Sequence, residues 1–219
     1  MIAHELDTPI ASVRKLNELL SAQGEDPEVR DYATTATERE LDALTNLVRD
    51  VRAVAAVERE GFEIQARPLP LEELLAAAEG YASTLLGHHP IEVVVRGDLS
   101  VGVCVLADPE RIGQVLRNLL SNAAKYSPEG TPIELRVIGK EGRVRVEIAD
   151  QGRGIHPDDL PRIFEKFGRG RDREGNERPG VGLGLYLSQR IVRGHGSELT
   201  VQTRPGEGSV FGFELAVVA

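Results

Sequence analysis

Four short clusters carry residues whose types and spacing could do chemistry. The first is His4-Glu5-Leu6-Asp7-Thr8-Pro9. A neutral imidazole is a competent nucleophile near pH 7, and a carboxylate one residue away can take its proton as it attacks. A zinc-type HExxH would need a second histidine at position 8, which is Thr8. The second cluster runs from Asn118 to Tyr126. Asn118 and Asn122 are four apart and so share one helical face. Two amides with Lys125 beside them suit a hydrated Mg2+ and a phosphate chain, because magnesium keeps several waters and takes few protein ligands.

The third cluster, Asp150-Gln151-Gly152-Arg153-Gly154, follows an alternating apolar run. Glycine lets backbone approach a ligand closely, and a carboxylate at a strand end can accept from an exocyclic amine such as that of adenine. The fourth, Gly180-Val181-Gly182-Leu183-Gly184-Leu185, leads into a helical pattern. Glycines there would set free N–H groups and the positive end of the helix dipole against phosphate. No Gly-Lys-Ser/Thr follows, so this is not a Walker loop, and GxGxG outside a βαβ unit is not a dinucleotide fingerprint. Taken singly, each cluster also has an ordinary reading: a surface histidine, two solvated amides, an Asp/Gly turn, a glycine turn. Between the third and fourth lie Ile163–Phe167 and then the polar stretch 168–179, with Arg169, Arg171, Arg173 and Arg178 set against three acids. Nothing in it can build a core, so the pattern predicts a mobile basic lid over an anion.

These clusters need elements to position them. Residues 1–60 read as two helices. Ala3, Leu6, Ile10, Val13, Leu16 and Leu20 make one stripe; Ala33, Ala36, Glu40, Leu44, Leu47, Val51 and Val54 make the other, widened by Leu41 and Val48. The short link Ala22–Pro27 predicts an antiparallel hairpin, Pro9 a kink in the first helix, and the breadth of the seam a four-helix bundle formed by dimerisation. From residue 62 the pattern changes. Ile91–Val95, Ile133–Val137 and Val144–Ile148 alternate as strands, with Gly139–Gly142 as a hairpin turn between the last two. Helices are predicted over Leu71–Ser83, Pro109–Ser127 and Gly184–Gly194, and a closing strand pair over Glu198–Thr203 and Ser209–Val217. The fold class is therefore α+β: a helical hairpin over 1–60, then a two-layer α/β sandwich over 61–219 with helices on one face of a mixed sheet.

Composition bounds the rest. The net charge of -9 argues against a broad nucleic-acid-binding face. No stretch approaches the roughly 18 apolar residues of a membrane span, and no signal peptide is visible, so the expected location is cytoplasmic, with membrane tethering only through regions absent from this chain. The single cysteine, Cys104, lies in an apolar run and reads as a buried core thiol.

The clusters in this order resemble the boxes of the histidine kinases of two-component systems, over nearly the whole chain. His4–Pro9 resembles the H box, Asn118–Tyr126 the N box, Asp150–Gly154 the G1 box, Phe164–Phe167 the F box and Gly180–Leu185 the G2 box. The resemblance implies an ATP-dependent protein-histidine kinase with His4 as phosphoacceptor and Glu5 as general base. Thr8 would position water when a response regulator is dephosphorylated. It implies ATP and Mg2+ as cofactors, with Asn122 on the metal and Asn118 and Lys125 near the phosphates. Tyr126 would stack near the adenine, Asp150 would read its amine, and Gly152, Gly154 and Phe167 would line the site. Arg169 would reach the γ-phosphate, and Gly180, Gly182, Leu183 and Gly184 would wrap the phosphate tail. The implied partners are a response regulator receiver domain, whose aspartate takes the phosphoryl group, and a second copy of the chain. The family fold is a dimeric helical hairpin followed by the α/β sandwich.

Two positions depart from the family pattern. Asp7 stands where Arg or Lys is usual and should repel incoming phosphate. Val181 replaces a common Thr or Ser. His88, His89, His156 and His195 match no catalytic role and read as structural or surface residues. Two other readings compete: a gyrase- or chaperone-type ATPase or serine kinase without an acceptor histidine, which the His4 hairpin argues against, and a weak kinase working mainly as a phosphatase or docking scaffold.

Overall fold

The computed structural model describes residues 2–60, 63–86, 89–97, 99, 102–168, 170 and 181–218. Helix α1 (Ile2–Gln23) continues through Pro9, and α2 (Pro27–Glu60) returns antiparallel to it. The turn between them is closed by Asp26, whose carboxylate accepts from the backbone N–H of Glu28 at 2.9 Å with Pro27 at the first helical position. Ser12 donates to Glu40 across the pair at 3.0 Å, which fixes their register. Ala33, Leu47 and Val54 are buried in this stem, whereas Ile10, Leu41 and Val48 remain 45–49% exposed.

After the stem come β1 (Arg67–Pro70), α3 (Leu71–Leu85), β2 (Ile91–Arg96), β3 (Cys104–Ala107) and α4 (Pro109–Tyr126). Then follow β4 (Ile133–Lys140), β5 (Arg143–Asp150), a 3-10 turn at Pro157–Asp159, α5 (Gly184–Gly194), β6 (Thr200–Arg204) and β7 (Gly208–Val218). Six strands lie in the order β1-β3-β7-β5-β4-β2, and β6 pairs with the first half of β7. The pair β2–β4 is parallel and the others antiparallel, so the sheet is mixed, as the alternating runs predict.

Period-two alternation decides what each face of the sheet does. Leu135 and Val137 of β4, Val146 and Ile148 of β5 and Phe213 and Leu215 of β7 point to one side and are at most 2% exposed, packed against Ile112, Val115, Leu116, Leu119 and Leu120 of α4. The opposite face carries a charged ladder in which Arg136 meets Glu134 and Arg145 meets Glu147, both at 2.7 Å. These half-buried pairs at the sheet surface keep that face polar. The β4–β5 turn has Glu141 and Gly142 both at positive φ, the geometry of a type I′ hairpin.

Two sequence expectations need correction. Cys104 is not a buried core thiol: it is half-exposed, because Val105 next to it is fully buried and alternation sends Cys104 to the other side. Strand β1 has no counterpart in the sequence reading, since Arg67-Pro-Leu-Pro70 places two prolines in four residues; the strand survives at the sheet edge, where a missing N–H is tolerated. Strand β3 likewise has no counterpart in the sequence reading; of the expected elements α5 has its expected bounds, α4 ends one residue early, β6 starts two residues later and ends one later, and the others are extended by one to three residues. Among the described residues no helix is long and apolar enough to cross a membrane.

Asp108 ties the start of α4 to its surroundings. Its carboxylate accepts from the N–H groups of Glu110, Arg111 and Gln65, each at 3.1 Å, while its own N–H donates to His195 Nε2 at 2.9 Å. His195 Nδ1 lies 2.8 Å from the carbonyl of Ile191 and so carries the ring proton, which fixes it as the structural histidine expected. Asp108→Ala is expected to lower the unfolding free energy of the sandwich by about 2 kcal/mol, through loss of the helix cap and of the Gln65 bond. Urea unfolding followed by circular dichroism measures this. A change below about 0.5 kcal/mol would show that water replaces the carboxylate at no cost.

Candidate active site

Both ends of the site grow from α4 and the two elements flanking it. On the phosphate side, Asn118 and Asn122 lie on successive turns of α4, as their spacing predicts. Asn118 Nδ2 donates to Ser188 Oγ of α5 at 2.9 Å, and its Oδ1 receives a long 3.5 Å contact from Asn122 Nδ2. A Cβ at Gly184 would collide with that same Asn118 Oδ1, so a side chain there would displace the Asn118 amide from its bond to Ser188. Among the described residues no side chain caps the N-terminus of α5: Leu183 stands at the cap position with its own side chain buried. Its first-turn N–H groups therefore remain available to an anion, next to the two amides.

Ahead of α5, the Phe167 N–H donates to the Gly182 carbonyl at 3.0 Å. Phe167 holds φ at +65°, an uncommon state for an aromatic residue, so this segment is constrained at the edge of the site. Gly182 packs against it, with no room for a Cβ beside the Gly168 carbonyl.

On the other side, Asp150 ends β5. Its Oδ1 accepts from the N–H of Gly152 at 2.8 Å and of Ser209 at 3.3 Å. Those two bonds leave Oδ2 to accept from a ligand. Burial raises the Asp150 pKa above the ordinary carboxylate value, against the two backbone bonds, which lower it. Gly208, at φ +91°, passes its Cα over the Asp150 carbonyl where a side chain could not fit. Gly152 likewise presses its bare Cα on Asp150 and on the Tyr126 carbonyl. The Tyr126 ring lies beside these groups, with Lys125 Nζ 5.3 Å and the Arg153 guanidinium 5.4 Å from its centroid. The missing side chain of Gly154 serves a backbone contact with Arg204 at the β6–β7 turn.

The structure thus brings Asn118, Asn122, Lys125, Tyr126, Asp150, Gly152, Phe167, Gly182, Leu183 and Gly184 around one end of α4. Arg169 and Gly180 lie outside the described residues, as does most of the expected lid. His4 and Glu5 sit in the first turns of α1, but their side chains also lie outside the described residues; Thr8, one turn on, is exposed. Counting along the antiparallel pair from Ser12–Glu40, position 4 is level with about position 48 of α2. Three supporting residues escaped sequence reasoning: Ser188, Ser209 and Arg153. Ser188 carried a signal, since it stands four residues after Gly184 and so on the same helix face. The turn Pro205-Gly206-Glu207-Gly208 marked the corner that brings Ser209 to Asp150, though nothing local linked it to an acid 59 residues earlier.

Comparison with known proteins extends this picture. A family model for histidine kinase-, DNA gyrase B- and HSP90-like ATPases matches residues 107–219. The sensor histidine kinase YkoH of Bacillus subtilis is 32% identical over 208 residues, covering 94% of this chain and 44% of YkoH. The crystal structure of full-length ShkA in complex with AMPPNP matches with a TM-score of 0.70 at 32% identity, covering 99% of this chain and 45% of ShkA. The histidine kinase ThkA, in complex with the response regulator TrrA, shares the fold with a TM-score of 0.70 at 24% identity, over 98% of this chain and 59% of ThkA. This chain spans between 24% and 51% of the length of the curated relatives it matches.

Asp150 gives a test that separates binding from folding. A carboxyl whose folded pKa is raised above 3.8 takes up its proton in the folded state first, so stability rises as pH falls through the window between the two values. Above that window the charge opposes folding. Asp150→Asn, which keeps an acceptor for both N–H groups, is expected to hold or raise the melting temperature at pH 7, with the difference from the parent protein narrowing in acid. Affinity for a fluorescent ATP analogue should fall at least tenfold. A variant that melts much earlier at pH 7 would show that the charge supports the fold.

Proposed function

Because the chain belongs to the histidine kinase-, DNA gyrase B- and HSP90-like ATPases and is built as a sensor histidine kinase catalytic core, we propose that it binds ATP with Mg2+, phosphorylates its own His4 and passes the phosphoryl group to an aspartate of a response regulator receiver domain. What carries this reading is that the similarity to histidine kinases spans 99% of the chain and so includes the helical stem bearing His4, not only the residues of the ATPase family match. A gyrase- or chaperone-type ATPase has no use for such a stem.

The residues present fit the nucleotide. Asp150 Oδ2 would accept from the adenine amine, and Tyr126 would pack against the base. The uncapped N-terminus of α5, Gly182 and Gly184 would receive the phosphate tail, with Gly180 and Arg169 completing it. Asn118 and Lys125 would approach the phosphate oxygens, and Asn122 would hold the Mg2+. The metal would offset the charge on the β- and γ-oxygens. An imidazole nitrogen of His4 would attack the γ-phosphorus in line; the N–P bond forms, the bond from phosphorus to the bridging oxygen breaks, and ADP leaves with that electron pair. Glu5 would accept the proton that the imidazole gives up. In the second transfer the receiver carboxylate would take the phosphoryl group and His4 would return to neutral imidazole. Thr8, exposed one turn from His4, would orient water for the reverse, phosphatase role.

We assign residues 1–60 to the acceptor stem and 61–219 to the ATP-binding unit. The exposed Ile10, Leu41 and Val48 favour a second copy packing on the stem to complete a four-helix bundle. The full protein would work at the cytoplasmic side, with any membrane anchor outside this chain.

Incubation with γ-labelled ATP and Mg2+ tests the assignment directly. Self-labelling should be lost on acid treatment, absent in His4→Gln, and reduced at least a hundredfold in Asn122→Ala. Label that survives acid, or that persists without His4, would place the acceptor elsewhere.

A further inference from the structure

Arg153 stands in the loop after β5, and the backbone around it is tied to its surroundings on both sides. The Gly152 N–H donates to Asp150 Oδ1 at 2.8 Å, the Ile155 N–H donates to Thr203 Oγ1 at 3.0 Å, and the Arg153 carbonyl accepts from the N–H of Gly206. The half-buried side chain therefore leaves from a fixed point. It runs to the Tyr126 ring, where the guanidinium carbon lies 5.4 Å from the ring centre. That contact is a cation–π pair, in which a planar, weakly hydrated cation covers an aromatic face.

Groups of three different shapes thus meet at one corner. Asp150 keeps Oδ2 for an outside donor, because both of its backbone bonds go to Oδ1. Tyr126 supplies a flat ring and Arg153 a flat cation. A purine has a hydrogen-bonding edge and two flat faces, so it is held by one partner at its edge and others over its faces. A guanidinium that covers a phenol ring covers a purine equally well, since both present a π face. Lys125, 5.3 Å from the same ring, is a compact ammonium and cannot cover a face in this way. Phosphate is the poorer partner for Arg153, because Asn118 and the N-terminus of α5 meet about two turns of α4 before Tyr126.

We propose that Arg153 is a base-binding residue of the nucleotide site: its guanidinium plane stacks on the adenine whose amine donates to Asp150. The base is then held at its edge by one charged group and over its face by another. This rests on the reading of the site as an ATP site and adds to it the group that covers the base. Because the contact is made to the base and not to the phosphates, Arg153 contributes equally to the binding of every adenine nucleotide. A change to lysine keeps the charge and loses the plane.

Displacement of a ribose-labelled fluorescent ATP analogue by ADP, AMP and adenosine, at constant Mg2+, measures base binding with a decreasing number of phosphates. Arg153→Ala in the full chain should weaken all three by the same factor, about fivefold, the size of a partly desolvated cation–π contact. Arg153→Lys should not restore the affinity, and both variants should melt with the parent protein. A loss that grows with the number of phosphates would make Arg153 a phosphate ligand, and full affinity in Arg153→Lys would reduce it to a charge; either result overturns the proposal. So would unchanged affinity in Arg153→Ala, or a melting temperature that falls with the affinity, which would leave Arg153 a role in the fold of the corner alone. A parent protein that binds none of the three would sink the ATP-site reading and this inference with it, whereas binding by the parent confines any failure to Arg153.

Discussion

The close approach of α5 to α4 is the contact on which the nucleotide site depends. Asn118 fills the space that a side chain at Gly184 would need, and its amide is held from the other side by Ser188. With a Cβ at position 184, the Asn118 amide would have to swing away from Ser188, or α5 would have to move away from α4. The bare N-terminus of α5 and the amides of α4 would then no longer face the same volume. A helix N-terminus binds anions through N–H groups that fall off in reach within one turn, so a shift of an ångström or two separates donors from ligand. The choice of glycine here is thus a constraint on the distance between two helices, and the flexibility usually associated with the residue plays little part.

A second constraint works against stability. Asp150 is a partly buried charge whose ionised form is disfavoured by desolvation, and the corner that surrounds it (Gly152, Gly208 and Ser209) supplies only two backbone donors, both to one oxygen. A structural carboxylate would be expected to have both oxygens occupied, as at Asp108, where three N–H groups share the two. The contrast between these two acids distinguishes their roles. Asp108 is fully engaged with the fold it stabilises, and Asp150 keeps an oxygen for something outside the chain. The layer of Leu, Ile, Val and Phe beneath the sheet is extensive enough to carry that local cost.

Much of this was legible in the sequence because the physics that decides it is local. Strands β4, β5 and β7 announce themselves by alternation, since one face must bury and the other must not. Helices α4 and α5 show the 3.6-residue stripe, and the glycine clusters mark where backbone must come close. What could not be read depends on pairs distant in the chain. Strand β1 forms because β3 offers it an edge, in spite of two prolines. Cys104 is turned outward by a register that its pairing with β1 and β7 fixes. Ser209 matters through an acid that precedes it by 59 residues. The stem was legible as two amphipathic helices, and the half-exposure of Ile10, Leu41 and Val48 is the physical remainder of a seam too wide for two helices to close.

The junction between stem and sandwich has its own logic. Residues 63–66 run from the end of α2 across the α4–α5 layer: Gln65 bonds Asp108, and Ile64 packs where Gly194 ends α5 without a side chain. The same Asp108 caps α4 and is backed by His195 from α5. One carboxylate therefore links the connecting segment to both helices that build the phosphate side of the site. Asp108 thus joins the connecting segment to the N-terminus of α4, whereas Asp150 is fixed by the sheet. The Asp150 end of the site is held by strand pairing and the Asn118 end by helix ends and caps. Sheet hydrogen bonds are many and mutually supporting, whereas a cap is one or two bonds at a helix terminus. On the proposed reading, the part of the site that would present a phosphoryl group to the stem is built from the contacts that yield most readily, and the part that would take the base from those that yield least.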